Sequence, residues 1–164
     1  MARIDTIVSK IATHLESKGL QVINKELLAK KQYPLMTENQ IRPILNTDTE
    51  LQLLSLLYMA EVHKMADREI QANGSTKIPQ FQSADKEKAL YLAGKYSSGR
   101  PLGTDPVFNK TRGKEETEFG RACEIGGKYA KRISVAMRQY AAKKNPEIVE
   151  ANAHFFTTGG FGDF

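Results

Sequence analysis

The sequence predicts an all-α fold, and three stretches carry the prediction. From Asp48 to Asn73 the chain has both a start and a stop signal for one long helix. Thr47 with Glu50 three residues later is a capping box, and Asn73-Gly74 closes a last turn in the left-handed conformation. From Glu115 to Lys144, Phe119, Ala122, Cys123, Gly126, Ala130, Ile133, Met137 and Tyr140 alternate at spacings of three and four, which is one apolar helical stripe. Ile4, Ile7, Val8, Ile11 and Leu15 repeat the same period near the N-terminus. The expectation is a single helical domain over residues 1–154, of about six helices built around the two long ones, followed by an aromatic tail over 155–164.

Taken in order, the first helix ends at Gly19, and Val22, Ile23, Leu27 and Leu28 predict a second between Leu20 and Lys31. Tyr33-Pro34 breaks it, because the residue before proline is pushed out of the helical region. Thr37 with Gln40 is another capping box, opening a short turn through Ile41, Ile44 and Leu45 that Pro43 keeps short. These first 46 residues read as a layer on the central helix, which at 1.5 Å per residue is about 39 Å long. The central helix is apolar almost all round in its first half, whereas its second half keeps only Val62, Met65, Ala66 and Ile70.

Beyond Gly74 a loop leads to Ser83, the expected cap of a helix from Ala84 to about Tyr96 with Leu90, Leu92 and Ala93 inward. The glycines and prolines of residues 97–114 predict an irregular basic loop. Glu115, Glu116 and Glu118 suit the positive end of the second long helix. Gly120, Gly126 and Gly127 inside it imply a bend or the close approach of another backbone. Asn145-Pro146 ends that helix and starts a short one through Ile148, Val149 and Ala153.

Charge is distributed unevenly. Residues 1–73 hold nine Lys/Arg and nine Asp/Glu, and residues 74–164 hold fifteen and ten, so the net +5 lies wholly in the second half. In the loop region Lys95, Arg100, Lys110, Arg112 and Lys114 face only Asp105. On the second long helix, Arg121, Lys128, Lys131, Arg132, Arg138 and Lys143 fall within an arc of about 140° opposite the apolar stripe. Lys and Arg spread along one face meet the requirement for binding phosphates, where affinity comes from releasing condensed counterions. Tyr96, Phe108 and Tyr129 are candidate stacking surfaces for unpaired bases. The competing reading is a charged outer face worn only for solubility.

Other chemistry has little support. His14, His63 and His154 are isolated, without H-E-x-x-H or paired cysteines, so neither metal nor cofactor is expected. The lone Cys123 sits on the apolar stripe as a small buried hydrophobe. The glycines of residues 92–103 do not match G-x-x-x-x-G-K-[ST], and no strand precedes them. No catalytic set is expected. No run reaches the roughly 18 apolar residues of a membrane helix, and Asp5 interrupts any secretory signal. A soluble protein of the cytoplasm, or of a virion, is therefore expected.

The tail has four phenylalanines and three glycines in eleven residues. Exposing Phe155, Phe156, Phe161 and Phe164 is costly, so they should cover this protein's core or a neighbour's pocket. A strap that reaches a neighbour links subunits head to tail. The final Asp163-Phe164 is similar to the partner-binding tip of bacterial single-strand-binding proteins over two or three residues, without the acidic run of that tip. Together these features predict a non-enzymatic protein that binds DNA or RNA backbone irrespective of sequence, with self-association as a coat- or nucleocapsid-type subunit. The alternative is a structural or adaptor protein that binds other proteins through its tail and apolar surfaces.

Overall fold

The computed structural model describes residues 2–155, and the side chains of 3–154. The chain runs through α1 (Ala2–Ser17), α2 (Lys25–Ala29), α3 (Glu38–Leu45), α4 (Thr49–Asn73) and α5 (Lys86–Ser97). A ribbon of β1 (Val107–Asn109) and β2 (Lys114–Glu116) follows, then α6 (Glu118–Gly126), α7 (Ala130–Lys144), α8 (Pro146–Ala151) and a 3-10 turn (Ala153–Phe155). The fold is all-α apart from that small ribbon. Helix α4 is the axis. It packs against α1, α3, α5 and α6, while α7 lies across α1 and α3.

The axis starts one residue later than the capping-box pattern implies. Asp48, not Thr47, is its N-cap and accepts the Leu51 N–H at 2.9 Å. The same carboxylate takes His14 at 2.8 Å and Lys18 at 3.2 Å, both from α1, which a threonine hydroxyl could not do. Thr47 instead turns its hydroxyl back to the Pro43 carbonyl. Burial works against a charge on Asp48, but the Leu51 N–H and then Lys18 and His14 outweigh it and hold the carboxyl below its ordinary range. At the other end Gly74, with φ of 83°, closes the helix as expected. Leu51, Leu53, Leu56, Tyr58, Met59, Ala60 and Val62 are buried, whereas Met65 and Ile70 in the second half are only partly covered.

Two predicted helices are shorter than expected. Residues 20–24 are not helical, because Ile23 bridges Leu35 and the Asn24 N–H donates to the Pro34 carbonyl at 2.8 Å. The Asn24 side chain then caps α2. Helix α5 begins at Lys86, not at Ala84 behind a Ser83 cap, and Asp85 at its N-cap position makes no capping bond. By contrast, the Thr37–Gln40 capping box on α3 is present in both directions.

The second long helix does not exist as one element. Residues 114–116 belong to β2, and the rest is split at Gly127-Lys128-Tyr129 into α6 and α7. Gly126 shows why. An added Cβ there would lie 1.9 Å from the Gln52 carbonyl oxygen of α4, so the two backbones touch at this glycine. Helix α6 is held against the axis at that point, and Tyr129, with φ of −114° and ψ of 38°, turns the chain before α7. The middle of the apolar stripe survives the turn, since Ala122, Cys123, Gly126, Ala130, Ile133 and Met137 are all buried, whereas Phe119 at its start is exposed and Tyr140 at its end is half-buried.

Candidate nucleic-acid interface

The predicted basic loop is partly ordered as a hairpin. Val107 pairs with Glu116, Phe108 with Glu115 and Asn109 with Lys114. Asn109 builds the turn: its Oδ1 accepts the N–H groups of Thr111 and Arg112, and its carbonyl accepts Gly113 N–H at 2.8 Å. Gly113 has φ of 67°, a conformation glycine takes without penalty. The ribbon places Phe108, 58% exposed, and Val107, 68% exposed, in solvent. Exposed apolar side chains together on a polar ribbon call for an explanation in binding.

The eleven predicted cations do not form one face. Arg121 lies on the buried side of α6, 6% exposed, and bonds Asp85 at 2.6 Å and Glu124 at 3.0 Å. Lys128 sits in the turn between α6 and α7 and bonds the other Asp85 oxygen at 2.6 Å. Burial opposes the charge on Asp85, yet the bonds from Lys128 and Arg121 hold its carboxyl below the ordinary range. These two cations therefore serve the fold. The helical arc misplaces Arg121 because α6 packs on α5 as well as on α4, which buries the Arg121–Ile125 side too, and Asp85 then draws in Lys128 from the turn.

Three more are engaged by carboxylates. Arg112 bridges Glu116 and Glu124, and the bond to Glu124 is the main reason that its own charge is reinforced. Lys95 meets Glu118 at 2.6 Å, and Glu118 also accepts the Gly103 N–H at 2.8 Å. Those contacts, Lys95 first, lower the Glu118 carboxyl below its usual range. Lys143 approaches Asp5 at 3.4 Å. Arg132 and Arg138 on α7 are half-buried, and Arg100 bonds the Ser98 hydroxyl at 3.1 Å.

What remains is a smaller set. Lys110, Lys114 and Lys131 are exposed and make no ion pair with any described residue. Lys110 also lines a hollow of about 600 Å³ beside the hairpin, with Phe108, Lys88 and Asp105. Lys88 was not singled out by sequence, because nothing local says that α5 and the ribbon share a hollow. Of the three candidate stacking rings, Phe108 and Tyr96 reach solvent, the latter 36% exposed. Tyr129 does not. It is 8% exposed, lies edge-on to Phe81 and accepts the Gln82 N–H on its hydroxyl at 3.3 Å.

No protein-family model, curated protein or solved structure matches the chain.

The histidines and the cysteine have structural surroundings. His63 is buried and accepts the Phe81 N–H on Nδ1 at 3.1 Å, and His14 is held between Asp48 and Glu50. Burial pushes the Cys123 thiol up. Among the described residues, no group of three or more His, Cys, Asp or Glu is arranged to hold a metal ion, and no helix is long and apolar enough to cross a membrane. The expected assembly residues Phe156, Phe161 and Phe164, and the side chain of Phe155, lie outside the described residues.

Proposed function

We propose that the protein is a non-enzymatic binder of nucleic-acid backbone, with the β1–β2 hairpin as its contact element. The supporting observation is that Lys110 and Lys114, at the two ends of the hairpin turn, are exposed without a carboxylate partner, while β1 exposes Phe108 beside them. Unpaired lysines release counterions on meeting phosphate, whereas cations already in ion pairs exchange one partner for another. An exposed ring offers a face on which a base of any identity can stack. The combination favours a single strand and gives no basis for reading sequence.

Self-association through Phe155, Phe156, Phe161 and Phe164 belongs to the same proposal and rests on sequence alone. With it, the protein is a coat- or nucleocapsid-type subunit acting in the cytoplasm or in a virion. The exposed Val107 and Phe108 also favour the adaptor alternative, in which the hairpin meets a protein. Amide chemical shifts followed during titration with a thymidine oligonucleotide distinguish the two. Shifts concentrated over 107–116 and around Lys131 are expected. Absence of shifts at low salt, or shifts confined to other elements, contradicts the proposal.

A further inference from the structure

A groove of about 700 Å³ opens between α1, α4 and α7, formed by elements other than the hairpin. Its walls are apolar: Ile4 and Val8 from α1, Tyr58 and Met65 from α4, Ala136 and Tyr140 from α7. Burial pushes the Tyr58 hydroxyl up to about 12, so it stays neutral at any ordinary pH. The charged groups in the lining are three cations, Arg68, Lys143 and Lys144, and one carboxylate, Asp5. Lys143 is paired with Asp5, which leaves Arg68 and Lys144 without a carboxylate partner among the described residues. Lys144 instead lies over the Tyr140 ring at 5.7 Å.

We propose that this groove binds a free fatty acid, with the acyl chain along the apolar walls and the carboxylate at Arg68 and Lys144. The volume lies within the roughly 300–1,000 Å³ range of small-molecule pockets, and three helices give it concave walls. The charges select the head group. Two cations without carboxylates, beside one neutralised pair, favour an anion over a neutral or cationic head. Nothing in this inference depends on nucleic-acid binding.

The test is calorimetric titration of the full chain with dodecanoate, dodecanol and dodecyltrimethylammonium, each below its aggregation threshold. Dodecanoate should bind one to one, dodecanol about tenfold more weakly, and the cation not at all. Arg68→Gln with Lys144→Gln should weaken dodecanoate about tenfold and leave dodecanol unchanged. Val8→Gln with Met65→Gln should weaken both. Equal binding of all three amphiphiles, or no binding of dodecanoate, overturns the proposal. So does binding to phosphatidylglycerol vesicles without binding of free dodecanoate, which makes the face a membrane contact. Phe156→Ala, Phe161→Ala and Phe164→Ala together should leave dodecanoate affinity unchanged. A gain of about tenfold or more means that the tail competes for the groove, and this too overturns the proposal.

Discussion

Arg121 and Lys128 look like free surface cations in the sequence, and the carboxylate that pairs with both, burying Arg121 and leaving Lys128 exposed, lies 36 and 43 residues earlier. No local pattern reveals such a partner, so these two candidate site residues were not assignable from sequence. Their dependence on Asp85 makes a direct prediction. Asp85→Ala leaves a buried guanidinium without its main counter-ion and should cost about 3–5 kcal/mol in urea unfolding. A loss under 1 kcal/mol would return Arg121 to the pool of available cations. His63 makes a pH prediction. Its Nδ1 must stay unprotonated to accept the Phe81 N–H, and burial, which outweighs the nearby Asp67, lowers its folded pKa below the unfolded value. The unfolded chain therefore binds more protons, so this stabilisation is complete above about pH 6.5 and is lost as pH falls through the lower folded value. Urea midpoints should fall over that range for the parent and change less for His63→Gln. Cys123, by contrast, was readable from its place on the apolar stripe. Cys123→Ala should cost only about 1 kcal/mol.

At the scale of elements, sequence reasoning succeeded where the determinants are local. The Thr37–Gln40 box, the Gly74 stop and the α1 stripe each depend on residues within one or two turns. It failed where distant backbone decides. The three-residue strands β1 and β2 are too short to show alternation, and residues 20–24 leave the helix because Leu35 and Pro34 pair with them. The glycines of the second long segment announced a bend or a close approach without saying which. Both occur, at Gly126 against α4 and in the turn that follows. Two glycine substitutions test this account with opposite signs. Gly126→Ala places a methyl against the Gln52 carbonyl and should destabilise by about 1–3 kcal/mol or more. Gly94→Ala lies within α5 with nothing near the added Cβ and should stabilise by up to about 1 kcal/mol. Equal effects of the two in urea unfolding would mean that α6 does not touch α4 there.

For the whole molecule, the all-α class and the layer of N-terminal helices against α4 follow from hydrophobic period, which a tertiary fold can shorten but not reverse. Charge was less legible than period, because a formal excess says nothing about which cations already have partners. Only Lys110, Lys114 and Lys131 of the predicted set are exposed with a side chain that makes no hydrogen bond or ion pair with a described residue. Assembly is a separate property. Deleting residues 157–164 should reduce particle size in ultracentrifugation while leaving the helical circular-dichroism signal and Tm nearly unchanged, and a large fall in Tm would instead place the tail inside the domain. Backbone binding by the unpaired lysines sets the salt dependence of affinity for a labelled single-stranded oligonucleotide. Each phosphate contact contributes about 0.7 to the slope of log affinity against log salt, so Lys110→Gln, Lys114→Gln and Lys131→Gln together should flatten it by about two units. Lys10→Gln, Lys25→Gln and Lys30→Gln, the same change in net charge on the balanced half, should alter it little. Equal flattening by both sets, or no binding by the parent at low salt, would contradict the account.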